Sequence, residues 1–403
     1  MQNSKRIKDT IWNTLGAGSF AAISFILLTI TTRIYGIAIA STVGISITTA
    51  QLLFRVGLFS TAQYQVTDKN EKFSFSDYFS AKTLSTLLCF FLCFVYLIFD
   101  KKIKSFFIPF LFIFLLYQLI SFDDLYLNRL YQRGKLDLSG RRKFIVIISF
   151  LISFTVNSIF KLNINYSLFI SLSISILFSI LFCFNTETVR INKNTVKQGL
   201  SILFMCIPAF ISNLLFAAIN SMPKYTTFYL KTREESGYIN DIFILLNIIE
   251  LIGTFIYYPF ISDITDNMRD NRRKAKKIIL KVGICIISVA FITTVFTFFW
   301  GATLLSIFYG IDFSDFVFEI TYTVGICGTL IALIAFLYWI PIILRDQKSL
   351  ILIFILGFII SIISSIIGAF QYGISAIIIG YSVGIGIIAI LLFIYFLVKV
   401  RKY

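Results

Sequence analysis

Apolar runs of about 20 residues recur from one end of this sequence to the other, and nothing else in it constrains the fold so tightly. At 1.5 Å of rise per residue, a helical run of that length matches the roughly 30 Å hydrocarbon core of a bilayer. Inside a membrane each spanning element must satisfy its own backbone polar groups, which leaves helices or closed barrels. The runs are solid Ile, Phe and Leu, not an alternation of apolar and polar residues, and this excludes the barrel. Twelve spans fit, at about 11–32, 38–60, 77–99, 104–123, 143–160, 166–184, 198–221, 240–263, 277–299, 318–342, 347–369 and 373–398. Composition agrees: 58% of the 403 residues are hydrophobic and only 14% are charged, where a soluble domain carries about 25%. The first run is full length, has no small-residue cleavage site and is followed by more spans, so the whole chain is expected in the mature protein.

The sequence has no histidine. That removes the commonest general base, the usual catalytic metal ligand and every nucleophile–histidine pair, and an enzyme is not expected. All six cysteines (Cys89, Cys93, Cys183, Cys206, Cys285, Cys327) fall inside apolar runs and read as small core residues rather than disulfides or metal ligands. No nucleotide, phosphate-loop or metal motif is present, so no cofactor is expected. The formal charge of +16 reports orientation rather than nucleic-acid binding. With the N-terminus inside, about 26 basic residues fall on the cytoplasmic side and about 8 outside, which places both termini in the cytoplasm. A basic inner face also meets anionic lipid head groups. The longest loops, of about 20 residues, are too short for a soluble domain. Spans one to six (residues 1–195) and seven to twelve (196–403) form halves of similar length, as in parallel-repeat transporters.

A charge within a span costs roughly 2.5–3.5 kcal/mol on insertion scales, so each is a candidate for function. Glu250 stands out near the middle of span eight, with Asn247 one turn earlier on the same face. It is either a substrate or coupling-ion site or a structural carboxylate paired with a basic residue. Arg55 lies inside span two with Gln51 at i−4, and Lys82 lies at similar depth in span three; both either line an anion cavity or snorkel to the inner interface. Arg33 closes span one, and Lys224 follows Pro223 near the end of span seven. Asn213 and Asn220 share one face of span seven, as cavity lining or as interhelical glue. Asp123 and Asp124 are expected in a solvated cluster with Arg129, Arg133 and Lys135, and Gly380 and Gly384 predict close helix packing in span twelve.

Several strings resemble the Wzx-type polysaccharide flippases, which carry O-antigen or capsule repeat units and belong to the superfamily of MATE exporters and lipid II flippases. They are Asn13 to Ser19 (NTLGAGS), Thr32 to Gly36 (TRIYG), Thr49 to Leu53 (TAQLL), Tyr64 to Asp68 (YQVTD) and Phe75 to Tyr78 (FSDY). Further on come Arg129 to Leu138 (RLYQRGKLDL), Asn220 to Tyr225 (NSMPKY) and Leu304 to Gly310 (LLSIFYG). Their order beside twelve spans makes the resemblance fairly specific. It implies an all-α polytopic membrane protein whose twelve transmembrane helices form two six-helix lobes in a MATE-like V, with spans one, two, seven and eight lining a cationic cavity. It also implies a bacterial cytoplasmic-membrane flippase that moves undecaprenyl-diphosphate-linked oligosaccharide to the outer leaflet by alternating access, with a polysaccharide polymerase and a chain-length regulator as partners. Arg33, Arg55, Lys224 and Glu250 fall on those four helices. Arg and Lys would hold the diphosphate while Asn and Gln meet the sugars, and proton or sodium coupling through Glu250 stays open. The rival is a MATE-like ion-coupled exporter, which needs carboxylates to dominate the cavity; a membrane-embedded polymerase would need an outer loop or a carboxylate constellation that the sequence lacks.

Overall fold

The computed structural model describes residues 2–68, 71–182, 189–344, 346–371 and 373–401. Cys183 lies outside them. Among the described residues, twelve helices are long and apolar enough to cross a membrane: Lys8–Tyr35, Ile37–Leu58, Phe75–Phe99, Phe107–Gln132, Leu136–Ile159, Ile164–Phe182, Lys193–Leu230, Arg233–Phe260, Arg272–Tyr309, Ser314–Ile343, Lys348–Gln371 and Ile374–Lys399, spans one to twelve. No strand occurs among the described residues. The chain is an all-α multi-pass membrane protein.

Several helices run past the apolar stretches that announce them, because polar caps extend them. Span three starts from a reciprocal cap in which Asp77 N donates to Ser74 Oγ (3.3 Å) while Ser74 N donates to Asp77 Oδ2 (2.8 Å). Thr232 and Glu235 repeat the device at span eight. Asn271 caps span nine, and Gly310, at φ +72°, ends it.

The chain divides into two compact units, Met1–Ala217 and Ala218–Tyr403, the division falling within span seven. In the N-terminal unit span one packs along span five, where Gly16 and Gly140 bring the two backbones together. Span six buries Ser167, Ser171, Ser175 and Ser179, one per turn and all fully enclosed. Ser175 Oγ donates to the Val146 carbonyl of span five (3.0 Å) and Ser179 Oγ to Asp123 (2.5 Å). Small residues allow this approach, and hydroxyls secure it where no hydrophobic force acts between helices in lipid. In the C-terminal unit spans eleven and twelve use the same principle: a Cβ on Gly380 or Gly384 would collide with the backbone of Ser364 or with Ser361.

Span two ends in a sharp bend. Phe59 (φ +47°) and Ser60 (φ +54°) are consecutive left-handed residues, neither of them glycine, and a short helix, Thr61–Thr67, follows. Span seven holds the bend: Phe210 stacks on Phe59 with ring centroids 4.1 Å apart, and Asn213 Nδ2 donates to Ser60 Oγ at 3.0 Å.

Candidate functional site

In the N-terminal unit the polar residues of span two are held in different ways. Gln51 Nε2 donates to Ser24 Oγ (2.9 Å) and to the fully buried Tyr117 OH (3.0 Å), while Phe20 and Phe54 set their rings against Tyr117. Gln51 therefore ties spans one, two and four together. Arg55, one turn on, is exposed. Arg33 is exposed too, on a π-helical turn, Thr31–Tyr35, that ends at Gly36 (φ +90°).

Lys82 does not snorkel. It is 2% exposed, and its Nζ donates to the Gly57 carbonyl (2.8 Å) and Ser121 Oγ (2.6 Å), binding span three to spans two and four. Asn213 is engaged at the Ser60 bend. The acidic cluster expected after span four is also arranged otherwise. Asp123 is buried and accepts from Ser179, Asp124 pairs with Lys143 at 3.1 Å, and Arg129 turns to Glu71. Adjacent residues on a helix point about 100° apart, so Asp123 and Asp124 reach different neighbours.

That last contact organises the loop after span two. Arg129 forks onto both Glu71 oxygens (3.0 and 3.1 Å) and also donates to Gln132 Oε1 (2.8 Å), while Gln132 Nε2 donates to the Asp68 carbonyl. The Arg129 hydrogen bond and charge hold the Glu71 carboxyl below its usual range. Burial raises Asp68, but the N–H groups of Phe73 and Lys72 and the Tyr78 hydroxyl outweigh it and leave that carboxyl low.

In the C-terminal unit Lys224 is buried at 9% exposure, near enough to Asp241 for their charges to attract. Asp241 is fully enclosed, and the neighbouring Asn240 has neither side-chain atom hydrogen-bonded among the described residues. Asn220, one turn before Lys224, accepts from the fully buried Tyr381 OH at 3.0 Å. Near the centre of span eight, Asn247 is exposed and Glu250 half-buried. Glu250 is thus less enclosed by protein than Asp241, Asp123 or Lys82.

Asp241 and Glu319 are absent from the sequence reading. With span eight drawn from 240, Asp241 reads as interfacial; the helix in fact begins at Arg233, which sets Asp241 two turns inside. The signal was present in the spacing Thr232-x-x-Glu235, a capping pair. Glu319 lies in span ten, 8% exposed, and accepts from Ser375. Among the described residues no group of three or more His, Cys, Asp or Glu converges as metal ligands would.

No family model matches this chain, and no curated protein matches it. Solved structures do. An inward-facing multidrug resistance MATE family transporter of the MOP superfamily matches with a TM-score of 0.66 at 12% identity, over 95% of this chain and 95% of that one. The lipid II flippase MurJ in an inward closed conformation matches at 0.65 and 13% identity, over 98% of this chain and 87% of that one. A eukaryotic MATE transporter matches at 0.64 and 13%, over 99% and 98%. At such identities the likeness speaks to architecture alone, and the architecture is the MATE-like fold.

Proposed function

We propose that this protein is a flippase that moves undecaprenyl-diphosphate-linked oligosaccharide repeat units from the inner to the outer leaflet of a bacterial cytoplasmic membrane by alternating access. The observation that carries the reading is a polar surface at mid-span: Asn247 is exposed and Glu250 half-exposed near the centre of span eight. Such groups are not left facing hydrocarbon and mark a polar route through the membrane. The exposed Arg33 and Arg55 give the reading its sign, since guanidinium groups bind diphosphate bidentately. The substrate-binding set is Arg33, Arg55, Lys224, Asn220, Asn247 and Glu250; Gln51, Lys82 and Asn213 are each engaged in helix-to-helix bonds within the N-terminal unit. Both termini are cytoplasmic, as the basic loops require. Two lobes of six spans, 1–195 and 196–403, exchange access, although span seven as far as Ala217 packs in the N-terminal compact unit. An inside-negative potential favours outward movement of the diphosphate by about 2.3 kcal/mol per charge per 100 mV. A polymerase and a chain-length regulator would take up the product.

One observation favours a second reading. Asp241 and Glu319 join Glu250 as carboxylates in the C-terminal unit, and an ion-coupled exporter of cations needs such groups. Proteoliposomes separate the two. The flippase reading expects a labelled lipid-linked oligosaccharide to change leaflet only when the protein is present, with Arg33→Ala and Lys224→Ala inactive at normal protein level. Transport of organic cations under a proton or sodium gradient, with no movement of the lipid, would establish the exporter instead. Glu250→Gln reports coupling: loss of gradient-driven flipping with binding retained makes Glu250 the ion site.

A further inference from the structure

A polar cavity of about 510 Å³ opens in the N-terminal unit, between the loop that follows span two and the first turns of span seven. That volume falls within the roughly 300–1,000 Å³ of small-molecule sites. One wall is a face of span seven, where Asn194, Gln198, Ser201 and Met205 follow one another at steps of three and four. The side chains of Asn194, Gln198 and Ser201 make no hydrogen bond among the described residues. Gly199 lets span seven press against span three, since a Cβ there would fall 2.8 Å from Ala81 N. The polar stripe is left beside that contact, along the cavity.

The opposite wall is braced from several directions. Asp68 accepts from the N–H groups of Lys72 (2.9 Å) and Phe73 (3.0 Å) and from Tyr78 OH (3.1 Å), and the Arg129 fork fixes Glu71 just before them. Tyr64 OH donates to the Met205 carbonyl at 2.9 Å and ties the short helix after span two to span seven. Asp77, 8% exposed, also lines the cavity. Both bonds that it accepts from Ser74 fall on Oδ2, which leaves Oδ1 as an acceptor. Walls fixed in advance in this way lower the ordering cost of binding.

The lining selects the class of ligand. Its charges are one cation, Lys72, and one carboxylate, Asp77, so a phosphate or an anionic head group that meets the first is repelled by the second. The start of span seven is already capped, Asn192 Oδ1 accepting from Thr195 N at 2.8 Å. The amides and hydroxyls both donate and accept, the carboxylate accepts, and the Phe73 ring and Met205 offer apolar surface. A sugar ring matches that combination, with a rim of hydroxyls that donate and accept and with C–H faces that pack on an aromatic. We propose that the cavity binds a sugar of the lipid-linked oligosaccharide on the cytoplasmic side, an inference that rests on the flippase reading. The basic loops put both walls on that side. The glycan is thereby selected before its diphosphate enters the membrane, by residues outside the set that meets the diphosphate.

The test uses the full-length protein in phosphatidylcholine nanodiscs with two probes: the undecaprenyl-diphosphate-linked oligosaccharide extracted from cells that make the protein, and undecaprenyl diphosphate without sugar. Asn194→Ala and Gln198→Ala remove groups that bond to no described residue, so their thermal midpoints should match the parent's. Each is expected to weaken binding of the glycosylated lipid roughly three- to tenfold, the equivalent of one hydrogen bond, and to leave the bare lipid at parental affinity. Ser201→Trp, which fills the cavity, should discriminate between the two lipids in the same way. Free oligosaccharide should compete for the parent and not for the Asn194→Ala, Gln198→Ala double variant. Equal weakening for both lipids, unchanged affinity for the glycosylated lipid in the double variant, or competition by phosphatidylglycerol as strong as by the oligosaccharide overturns the sugar site and leaves the flippase standing. Absence of saturable binding of the glycosylated lipid to the parent overturns both.

Discussion

Gly380→Ala puts a methyl group 2.5 Å from the Ser364 carbonyl oxygen and 2.6 Å from its carbon. Relaxed contacts between a carbon and a carbonyl oxygen begin near about 3.3 Å, so spans eleven and twelve must part by roughly 0.8 Å. The same movement stretches the Ser364 Oγ hydrogen bond to the Gly380 carbonyl, now 2.6 Å, towards the limit of a useful bond. Overpacking of this kind costs about 1–3 kcal/mol and a lost hydrogen bond about 1 kcal/mol, against about 1 kcal/mol gained in helix propensity. The expected net is a loss of about 1–3 kcal/mol. Gly386→Ala, in the same helix, is the control: its nearest neighbour is Leu330 Cδ1 at 3.9 Å, so only the propensity gain applies. Thermal unfolding in detergent can be followed with a thiol-reactive dye, because Cys89, Cys93, Cys206 and Cys327 are buried free thiols and Cys285 gives a constant exposed background. A midpoint for Gly380→Ala at or above that of the parent, or equal to that of Gly386→Ala, would refute the packing argument.

Lys82→Met should be tolerated in stability to within about 1.5 kcal/mol and should leave surface polysaccharide intact, since Ser85 Oγ also donates to the Gly57 carbonyl that Lys82 serves; loss of polymer at unchanged stability would make Lys82 a direct substrate contact. Asp241→Asn removes the charge that attracts the buried Lys224 ammonium and should lower stability, whereas the double change Lys224→Met with Asp241→Leu should recover stability but not flipping. Recovery of transport in the double variant would remove Lys224 from the site. Because Arg129 holds the Glu71 carboxyl low, the bonded state contributes stability above the ordinary carboxylate range and loses it as pH falls through the lowered value. Glu71→Gln should therefore flatten the acid side of the melting profile, and an unchanged slope would assign the acid sensitivity elsewhere.

The twelve spans were legible because hydrocarbon imposes a length and a composition that a sequence cannot disguise. Their ends were less so: span seven runs from Lys193 to Leu230 and span nine from Arg272 to Tyr309, well beyond the apolar runs, since caps and polar turns extend a helix into water. Intramembrane charges could be found but not their partners. Lys82 reads as a snorkelling cation before a cavity one, and only Gly57 and Ser121, distant in sequence, show it to be internal. The Gly380–Gly384 pair was readable as a packing motif, whereas Gly16 against Gly140 was not, because the two halves of that contact lie in different helices.

The bend at Phe59 and Ser60 bears on how the protein is made. Left-handed backbone costs a residue with a side chain roughly 1–2 kcal/mol, and two such residues stand together. The groups that hold them, Phe210 and Asn213, leave the ribosome about 150 residues later, at a synthesis rate near 5–20 residues per second. Span two therefore waits on the order of ten seconds in the membrane before its bend can be secured, and during that wait the relaxed backbone is the favoured one. Maturation of the N-terminal unit ends with the arrival of span seven, so truncated chains that stop after span six should remain substrates for membrane proteases even though every helix before that point is complete.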